Sequence, residues 1–299
     1  MTYLTLDKKI YSKCNKAIVI SGSARSGTTI LGKIIHSFDN VEYSFEPPML
    51  YSLFALVNTI PESQWKLLYE TFLYEEFLIN AIAGRGLNCN RSDDSSIYKV
   101  KPIKLIEKRL ESSLGKNEIE QMIQSVSIAY KMPDIVPFLP QLITYYPQKT
   151  IIIITRNAYD VFNSILEKKW FSSNTLRSKN LTWPNRFFNG IRIPFWVHTD
   201  DAEKWYEMNE LHRIAYYYLR VNQPLDKISG YIKVRYDDLI SDPIAVTKQL
   251  SKKLSLNYGE KTLHLISTVS RTNKDRDYNI LNKLDSEVRK QVEYYSELS

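Results

Sequence analysis

The amino-acid sequence predicts an α/β fold in which a central, mostly parallel sheet is flanked by helices. Three observations support this prediction. Five short apolar or β-branched runs alternate with longer segments that have helical periodicity. One run, at 150–155, contains four consecutive isoleucines, which is typical of a strand buried on both faces. The first run is followed directly by a glycine-containing loop and an amphipathic helix, so the opening unit is strand, loop, helix.

The predicted strands are all short and consist largely of aliphatic or β-branched residues. They lie at Ala17–Ser21, Val41–Phe45, Ser127–Tyr130, Thr150–Thr155 and Tyr231–Arg235. After the first strand, apolar residues recur at positions 30, 31, 34, 35 and 38, which is the spacing of one helical face. No repeat, flexible linker or low-complexity tract divides the chain, so residues 1–299 are predicted to form a single domain.

Charge and composition narrow the possible functions. A formal net charge of +7 favours a polyanionic ligand, although charge alone does not choose between a nucleotide, an acidic glycan and nucleic acid. No nucleic-acid-binding motif is present. Cys14 and Cys89 are too few for a disulfide framework or a metal cluster. Without a signal-like or membrane-spanning apolar run, a cytoplasmic location is expected.

The loop from Ser21 to Thr29 is the first candidate site. Gly22 and Gly27 can adopt backbone conformations closed to other residues, so the amides between them can turn inward around an anion at the helix N-terminus. The same spacing also fits a tight turn that binds nothing. In a P-loop nucleoside triphosphatase the second glycine of this loop is followed by a lysine. Here it is followed by Thr28, which argues against hydrolysis of ATP or GTP.

The string Arg25-Ser26-Gly27-Thr28-Thr29 resembles the 5′-phosphosulfate loop of sulfotransferases that use 3′-phosphoadenosine 5′-phosphosulfate (PAPS). The resemblance implies a P-loop-type, three-layer fold with a central, mostly parallel sheet between layers of helices. It also implies that Arg25 contacts the sulfuryl group of PAPS. The 5′-phosphate would be held by the rest of the loop, namely Ser23, Ala24, Ser26, Gly27, Thr28 and Thr29.

A second motif of these sulfotransferases has an arginine at the end of a buried strand and a serine eight residues later, which together bind the 3′-phosphate. Arg156 and Ser164 resemble this pair, although Ala158 replaces the usual proline and Asn157 remains available to cap the helix. Alone, Ser164 fits a helix serine bonded to its own backbone, and Arg156 fits a surface charge. Found together after the first loop, they favour a phosphate site.

Two later segments extend the resemblance to about residues 17–256. Tyr130–Pro133 resembles the family's K-x-P after the third strand, and Tyr231–Pro243 resembles its late strand and the segment that follows. We expect both to be mainly architectural, with Asp237 and Asp238 bracing the strand end. Further on, Arg271 and Lys274 lie in a basic stretch where many family members fold over the nucleotide, although a solvated charge run explains it equally.

Sulfuryl transfer needs a base for the acceptor hydroxyl, and Glu46 is the best candidate. It follows the second predicted strand, at the sheet edge where ligands of α/β folds bind. A glutamate at the rim of the site without a catalytic role fits as well. None of the four histidines has a recognisable catalytic spacing, and His36 is expected to pack on the first helix. Arg25 and Glu46 are therefore the predicted catalytic residues, and no metal is expected.

The acceptor should bind near residues 170–218, which combine many aromatic side chains with arginine and lysine. The Glu46-Pro47 pair is similar to that of carbohydrate sulfotransferases, so the sequence favours a carbohydrate or glycolipid hydroxyl, with a tyrosyl peptide as a further possibility. Two alternatives remain open. One is a nucleotide or small-molecule kinase of the P-loop class, and the other is a protein that binds PAPS without turnover.

Overall fold

A computed structural model describes residues 4–93, 96–111, 114–178, 184–270 and 276–299. Within these ranges the strands are β1 (Ile18–Ser21), β2 (Val41–Phe45), β3 (Ser127–Lys131), β4 (Thr150–Thr155), β5 (Asn185–Phe188), β6 (Ile191–Pro194) and β7 (Ile232–Arg235). The five predicted strands are confirmed to within one residue at their ends. The pair β5 and β6 was not predicted.

Helices fill most of the remaining described chain. The α-helices are α1 (Lys8–Asn15), α2 (Thr28–Ser37), α3 (Pro48–Leu56), α4 (Glu62–Thr71), α5 (Asn80–Ile82), α6 (Ile103–Glu111), α7 (Lys116–Ser125), α8 (Leu139–Tyr145), α9 (Ala158–Lys168), α10 (Ser173–Arg177), α11 (Ala202–Glu207), α12 (Glu210–Asn222), α13 (Tyr236–Ser241), α14 (Pro243–Leu254), α15 (Glu260–Ser267) and α16 (Ser286–Glu297). A π-helix at Phe72–Ile79 joins α4 to α5. Short 3₁₀ turns lie at Ile97–Lys99, Val136–Phe138, Thr199–Asp201, Gln223–Lys227 and Ile280–Lys283.

The central sheet has five parallel strands in the order β2-β3-β1-β4-β7. Helices cover both of its faces, and β4 shows why its sequence is continuously apolar. Ile151 and Ile153 belong to one hydrophobic cluster, which includes residues of α3, α8, α9 and α12. Ile152 and Ile154 belong to a second cluster, which includes residues of α2 and α13–α15. The three-layer α/β fold predicted from the sequence is confirmed.

The order of the strands places the candidate site. β1 lies between β3 and β4, so the chain leaves β1 toward one side of the sheet and returns on the other. Ligands of open parallel sheets bind at such a switch point, beside the carboxyl ends of the strands. The segments that follow β1, β2, β3 and β4 all emerge at this edge, because the strands are parallel.

β5 and β6 form a separate antiparallel hairpin, in which Phe188 pairs with Ile191. Its two connecting residues, Asn189 and Gly190, have φ angles of 46° and 74°. Positive φ at both positions is the geometry of a type I′ turn, for which Asn-Gly is strongly preferred. Elsewhere, none of the helices in the described ranges has both the length and the apolar character needed to cross a membrane.

Candidate active site

The loop between β1 and α2 has the backbone geometry of an anion cradle. Gly22 has a φ of 141°, and a Cβ atom there would lie 2.2 Å from the carbonyl oxygen of Ile154. Gly27 has a φ of 93° and is the N-cap residue of α2. This end of the helix has no capping hydrogen bond from a side chain. The positive end of the helix dipole and its first amide groups therefore face the loop. This arrangement suits a phosphate group.

Arg25 links the loop to the second predicted motif. Its φ is 69°, an uncommon conformation for a residue with a side chain. The Nε atom donates to Ser164 Oγ at 2.9 Å, and the guanidinium lies 5.6 Å from the centre of the Trp170 ring. The structure thus brings together two predicted residues that are 139 positions apart.

Arg156 is held in place from three directions. Its guanidinium pairs with Asp160, with the Nη2 atom 2.9 Å from Oδ2, and stacks 4.0 Å from the centre of the Tyr236 ring. Its Nη1 atom also donates to the backbone carbonyl of Arg25 at 2.9 Å. At the start of α9, the Asn157 side chain accepts from the amide of Asp160, so the cap predicted in the absence of a proline is confirmed.

Glu46 sits directly after β2 and forms an ion pair with Lys131, the last residue of β3. Its amide donates to the carbonyl of Lys131 at 3.0 Å, and its φ is 45°. The Lys131 side chain is 1% exposed, and its Nζ atom lies 3.3 Å from Thr29 Oγ1 in the phosphate loop. Burial lowers the pKa of Lys131, and the Glu46 carboxylate opposes that shift. A strained glutamate and a buried ammonium therefore meet beside the loop.

Lys131 was expected to be architectural, and the structure places it in the site instead. The sequence did carry a signal, because a lysine that ends a buried strand points at the edge where ligands bind. The expectation failed because the ion pair with Glu46 depends on the pairing of β2 with β3, in which Phe45 lies beside Lys131.

Asp134 and Tyr217 were also missed. Asp134 has a φ of 73° and accepts hydrogen bonds from the Tyr217 hydroxyl and the Ala24 amide. Burial is the main reason that the pKa of Asp134 is raised to about 6. These contacts hold the phosphate loop from α12 and from the segment after β3. No local pattern could have predicted them, because Tyr217 lies 83 residues beyond Asp134.

A cavity of about 340 Å³ opens beside Glu46 and Lys131. Its lining combines the phosphate loop with the predicted acceptor segment. The lining residues are Ala24, Arg25, Thr28, Thr29, Glu46, Tyr51, Lys131, Pro133, Asp134, Trp170, Phe171, Thr175, Leu176, Asn185, Pro194, Phe195, Trp196 and Tyr217.

Other predicted residues lie as follows. Ser23 and Ser26 hydrogen-bond each other through their hydroxyls, and the Ser26 amide donates to the Ser23 carbonyl at 3.2 Å. His36 is buried and stacks on Tyr43, and burial holds its pKa well below the ordinary value. Arg271 and Lys274 lie outside the described residues. Within the described ranges, no three His, Cys, Asp or Glu side chains group together in a way that could hold a metal ion.

Comparisons with known proteins give a match to a family model and low-identity resemblances to solved structures. No curated protein sequence matches the chain significantly. Three of the solved structures that resemble this chain at low sequence identity are as follows.

The sulfotransferase domain of the Synechococcus PCC 7002 olefin synthase is 15% identical, with a TM-score of 0.48 over 95% of this chain and 94% of that one. The sulfotransferase domain from the curacin biosynthetic pathway is 14% identical, with a TM-score of 0.48 over 95% and 96%. Mouse sulfotransferase SULT7A1, complexed with PAP, is 10% identical, with a TM-score of 0.39 over 97% and 88%.

A family model described as the sulfotransferase family matches residues 17–260. The match includes the phosphate loop, Glu46, Lys131, Arg156 and Ser164. It covers well over half of the chain, and so the protein belongs to the sulfotransferase family.

Proposed function

We propose that this sulfotransferase uses PAPS as its donor and transfers the sulfuryl group to an acceptor hydroxyl. The observation that carries the proposal is the contact between the two anion-binding motifs. Arg25 of the phosphate loop donates to Ser164, and Arg156 donates to the backbone of Arg25. PAPS carries anionic groups at both its 5′ and its 3′ positions, so a ligand of that chemistry would engage both motifs at once.

The groups present fit such a donor. The N-terminus of α2 has no side-chain cap, so its first amides can bind a 5′-phosphate together with the hydroxyls of Ser26, Thr28 and Thr29. The backbone at Ser23 and Ala24 completes the loop. Arg156 and Ser164 would hold the 3′-phosphate through a charge-assisted contact and a hydroxyl. Arg25 would contact the sulfuryl group.

Glu46 and Lys131 would have different roles in the transfer reaction. The acceptor oxygen forms a bond to sulfur while the bond from sulfur to the 5′-phosphate oxygen breaks, and adenosine 3′,5′-bisphosphate (PAP) leaves. Glu46 would take the proton of the acceptor hydroxyl. Lys131 contacts Thr29, and would therefore stabilise the negative charge that develops on the departing phosphate. Transfer of this kind has a loose transition state, so alignment and charge stabilisation dominate.

The finer predictions about substrate and location stay predictions. A carbohydrate, glycolipid or tyrosyl acceptor rests on the likeness of the Glu46-Pro47 pair, and a cytoplasmic location rests on the sequence alone. The roles of Arg271 and Lys274 in donor binding also remain predictions.

Thermal shift separates this proposal from the kinase alternative. We expect PAP to raise the melting temperature at concentrations where ATP with magnesium does not, because binding stabilises the folded state by mass action. Stabilisation by magnesium ATP without any effect of PAP would overturn the proposal in favour of a kinase.

Turnover is tested by incubating the protein with PAPS and a broad panel of hydroxyl compounds, with sulfated products detected by mass spectrometry. We expect at least one product that depends on both protein and PAPS. Binding of PAPS without any product would favour a protein that binds the donor without turnover.

A further inference from the structure

The cavity beside Glu46 has a wall built mainly of apolar rings. Its lining includes the rings of Tyr51, Phe171, Phe195, Trp196 and Tyr217. Four of these five rings are at most 9% exposed, and Phe195 packs partly buried against the same core. If the hydroxyl of an acceptor reached Glu46, the rest of that molecule would therefore contact aromatic rings.

The rings of this wall hold one another in position. Trp196 lies 4.9 Å from Tyr217 and 5.7 Å from Phe171, centroid to centroid. Tyr51 meets Phe195 edge to face at 5.7 Å, and Phe195 stacks on Phe138 at 5.5 Å. The positions of these rings are thus fixed before any acceptor binds. The volume of about 340 Å³ favours a compact molecule, and contact with planar rings favours a flat one.

The charges around the cavity disfavour an anionic acceptor. Among the described residues that line it, the cations are Arg25 and Lys131. Arg25 bonds to Ser164, and Lys131 pairs with Glu46 and contacts Thr29 of the phosphate loop, so both cations already have partners. The other charged lining groups are the carboxylates Glu46 and Asp134, so the described lining has no excess of positive charge to attract a negatively charged molecule.

Polar partners for a sugar are few on the same wall. Away from the phosphate loop and the ion pair of Glu46 and Lys131, the described lining residues with uncharged polar side-chain groups are Thr175, Asn185, Trp170 and Trp196, besides the two tyrosines. Thr175 Oγ1 already accepts from Ser172 at 2.9 Å. A free sugar would give up hydrogen bonds from several hydroxyls to water without replacing them, which is costly.

We infer that the acceptor is a compact phenol or alcohol with a flat apolar body and no negative charge, an inference that rests on the proposed sulfotransferase activity. Its hydroxyl would lie at Glu46 and its body against the ring wall. This acceptor class differs from the carbohydrate or glycolipid favoured by the sequence.

Calorimetric titration tests the inference without requiring turnover. The probes are 2-naphthol and lactose, each titrated into the protein with and without saturating PAP. We expect saturable binding of 2-naphthol and none of lactose. In Phe195→Ala the affinity for 2-naphthol should fall about tenfold or more, because a ring of the wall is lost.

Phe187→Ala is the matched control, since this phenylalanine lies on the hairpin that leads into Phe195 but is 69% exposed and outside the cavity lining. We expect it to change the affinity less than twofold. If Phe195→Ala does not fold, Thr175→Trp serves instead. This position is only partly buried, and the larger side chain would fill the cavity and lower the affinity similarly.

Several outcomes would overturn the inference. They are binding of lactose but not 2-naphthol, binding of neither, or equal weakening by the Phe195 and Phe187 substitutions. Failure of PAP to bind is a separate result, which would contradict the donor assignment, and the titrations without PAP would still decide the acceptor class.

Discussion

Glu46 and Lys131 form an ion pair at the boundary between the phosphate loop and the cavity that we propose binds the acceptor. A carboxylate in this position can accept a proton from the acceptor hydroxyl. Lys131 also contacts the loop through Thr29, so a single pair of side chains spans the donor and acceptor sides. Substitution of either one should therefore affect turnover more than the binding of either substrate.

Glu46→Gln should lower kcat about 10²-fold to 10⁴-fold, which is the usual contribution of a general base. The amide keeps the shape of the side chain but accepts protons poorly. The Kd for PAP, measured by calorimetry, should change little. Glu62→Gln, at an exposed glutamate, is the control and should leave kcat unchanged. An unaltered kcat in Glu46→Gln would remove this residue from the mechanism.

Arg156→Ala should act on donor affinity instead. Loss of a charge-assisted contact to phosphate is worth about 1.5–3 kcal/mol, or about a tenfold to 150-fold rise in the Kd for PAP. The comparison variant is Arg85→Ala, at an exposed arginine outside the cavity lining, which should bind PAP normally. Equal affinities of the two variants for PAP would place the 3′-phosphate elsewhere.

At the scale of elements, the sequence predicted best what depends on local pattern. The five strands of the sheet were found because each is a short run of buried β-branched or aliphatic residues, as in Thr150–Thr155. The hairpin β5 and β6 was missed although Asn189-Gly190 is a strong turn signal. Its strands mix aromatic, charged and apolar residues, so the usual alternation is weak.

In the candidate site, too, the residues carried by local sequence patterns were predicted and the contacts between distant residues were not. The phosphate loop, Arg156 and Ser164 were predictable because fixed spacings carry them. The contacts of Asp134 with Tyr217 and of Lys131 with Glu46 were not, because they join residues 83 and 85 positions apart through the packing of separate elements. The sequence thus predicted the groups that we propose bind the donor, but not the side chains that contact them.

The hairpin also gives a prediction about acceptor binding. Gly190→Ala should lower stability by about 1–2 kcal/mol, because alanine resists the positive φ. It should also lower kcat/KM for the acceptor, since β6 leads directly into Phe195 and Trp196 of the cavity, while the Kd for PAP stays constant.

Gly230→Ala is a matched control for backbone strain. Both glycines have φ angles above 70°, and at both the position that a Cβ atom would take has no other atom within 4 Å, but Gly230 precedes β7 at the opposite edge of the sheet. Urea denaturation should show similar losses in the two variants, with only Gly190→Ala affecting the acceptor. The same loss of kcat/KM in both would mean that the hairpin does not shape the cavity.

Across the whole molecule, buried charges at the two edges of the sheet should make stability depend on pH. At the edge that carries the candidate site, burial raises the pKa of Asp134 to about 6. At the opposite edge, burial lowers the pKa of Lys149 to about 7, although Cys14 and Glu70 oppose the shift. Lys149 lies just before β4 and donates to the carbonyl of Cys14 and the hydroxyl of Tyr69. Its ammonium also lies over the rings of Tyr69 and Tyr146.

Asp134 and Lys149 change the free energy of unfolding in opposite directions as the pH rises. For Asp134 the pKa is higher in the folded state than in the unfolded chain, so its stabilisation is present below about pH 4 and is lost as the pH rises through about 6. For Lys149 the pKa is lower in the folded state, so its stabilisation is present above about pH 10 and is lost as the pH falls through about 7. Between pH 7 and pH 8 the free energy of unfolding should therefore change through Lys149 and hardly at all through Asp134.

The free energy of unfolding should accordingly rise by about 1 kcal/mol between pH 7 and pH 8, because the unfolded chain keeps the proton that Lys149 has begun to release in the fold. Lys149→Met cannot titrate at this position and should reduce this rise, whatever its absolute stability. The smaller rise that is left comes from Lys101, whose pKa burial lowers to about 8. Lys168→Met, at an exposed lysine near the end of α9, should retain it. Urea denaturation at pH 7.0 and 8.0 measures all three proteins, and an equal rise in Lys149→Met would assign the pH dependence to another group.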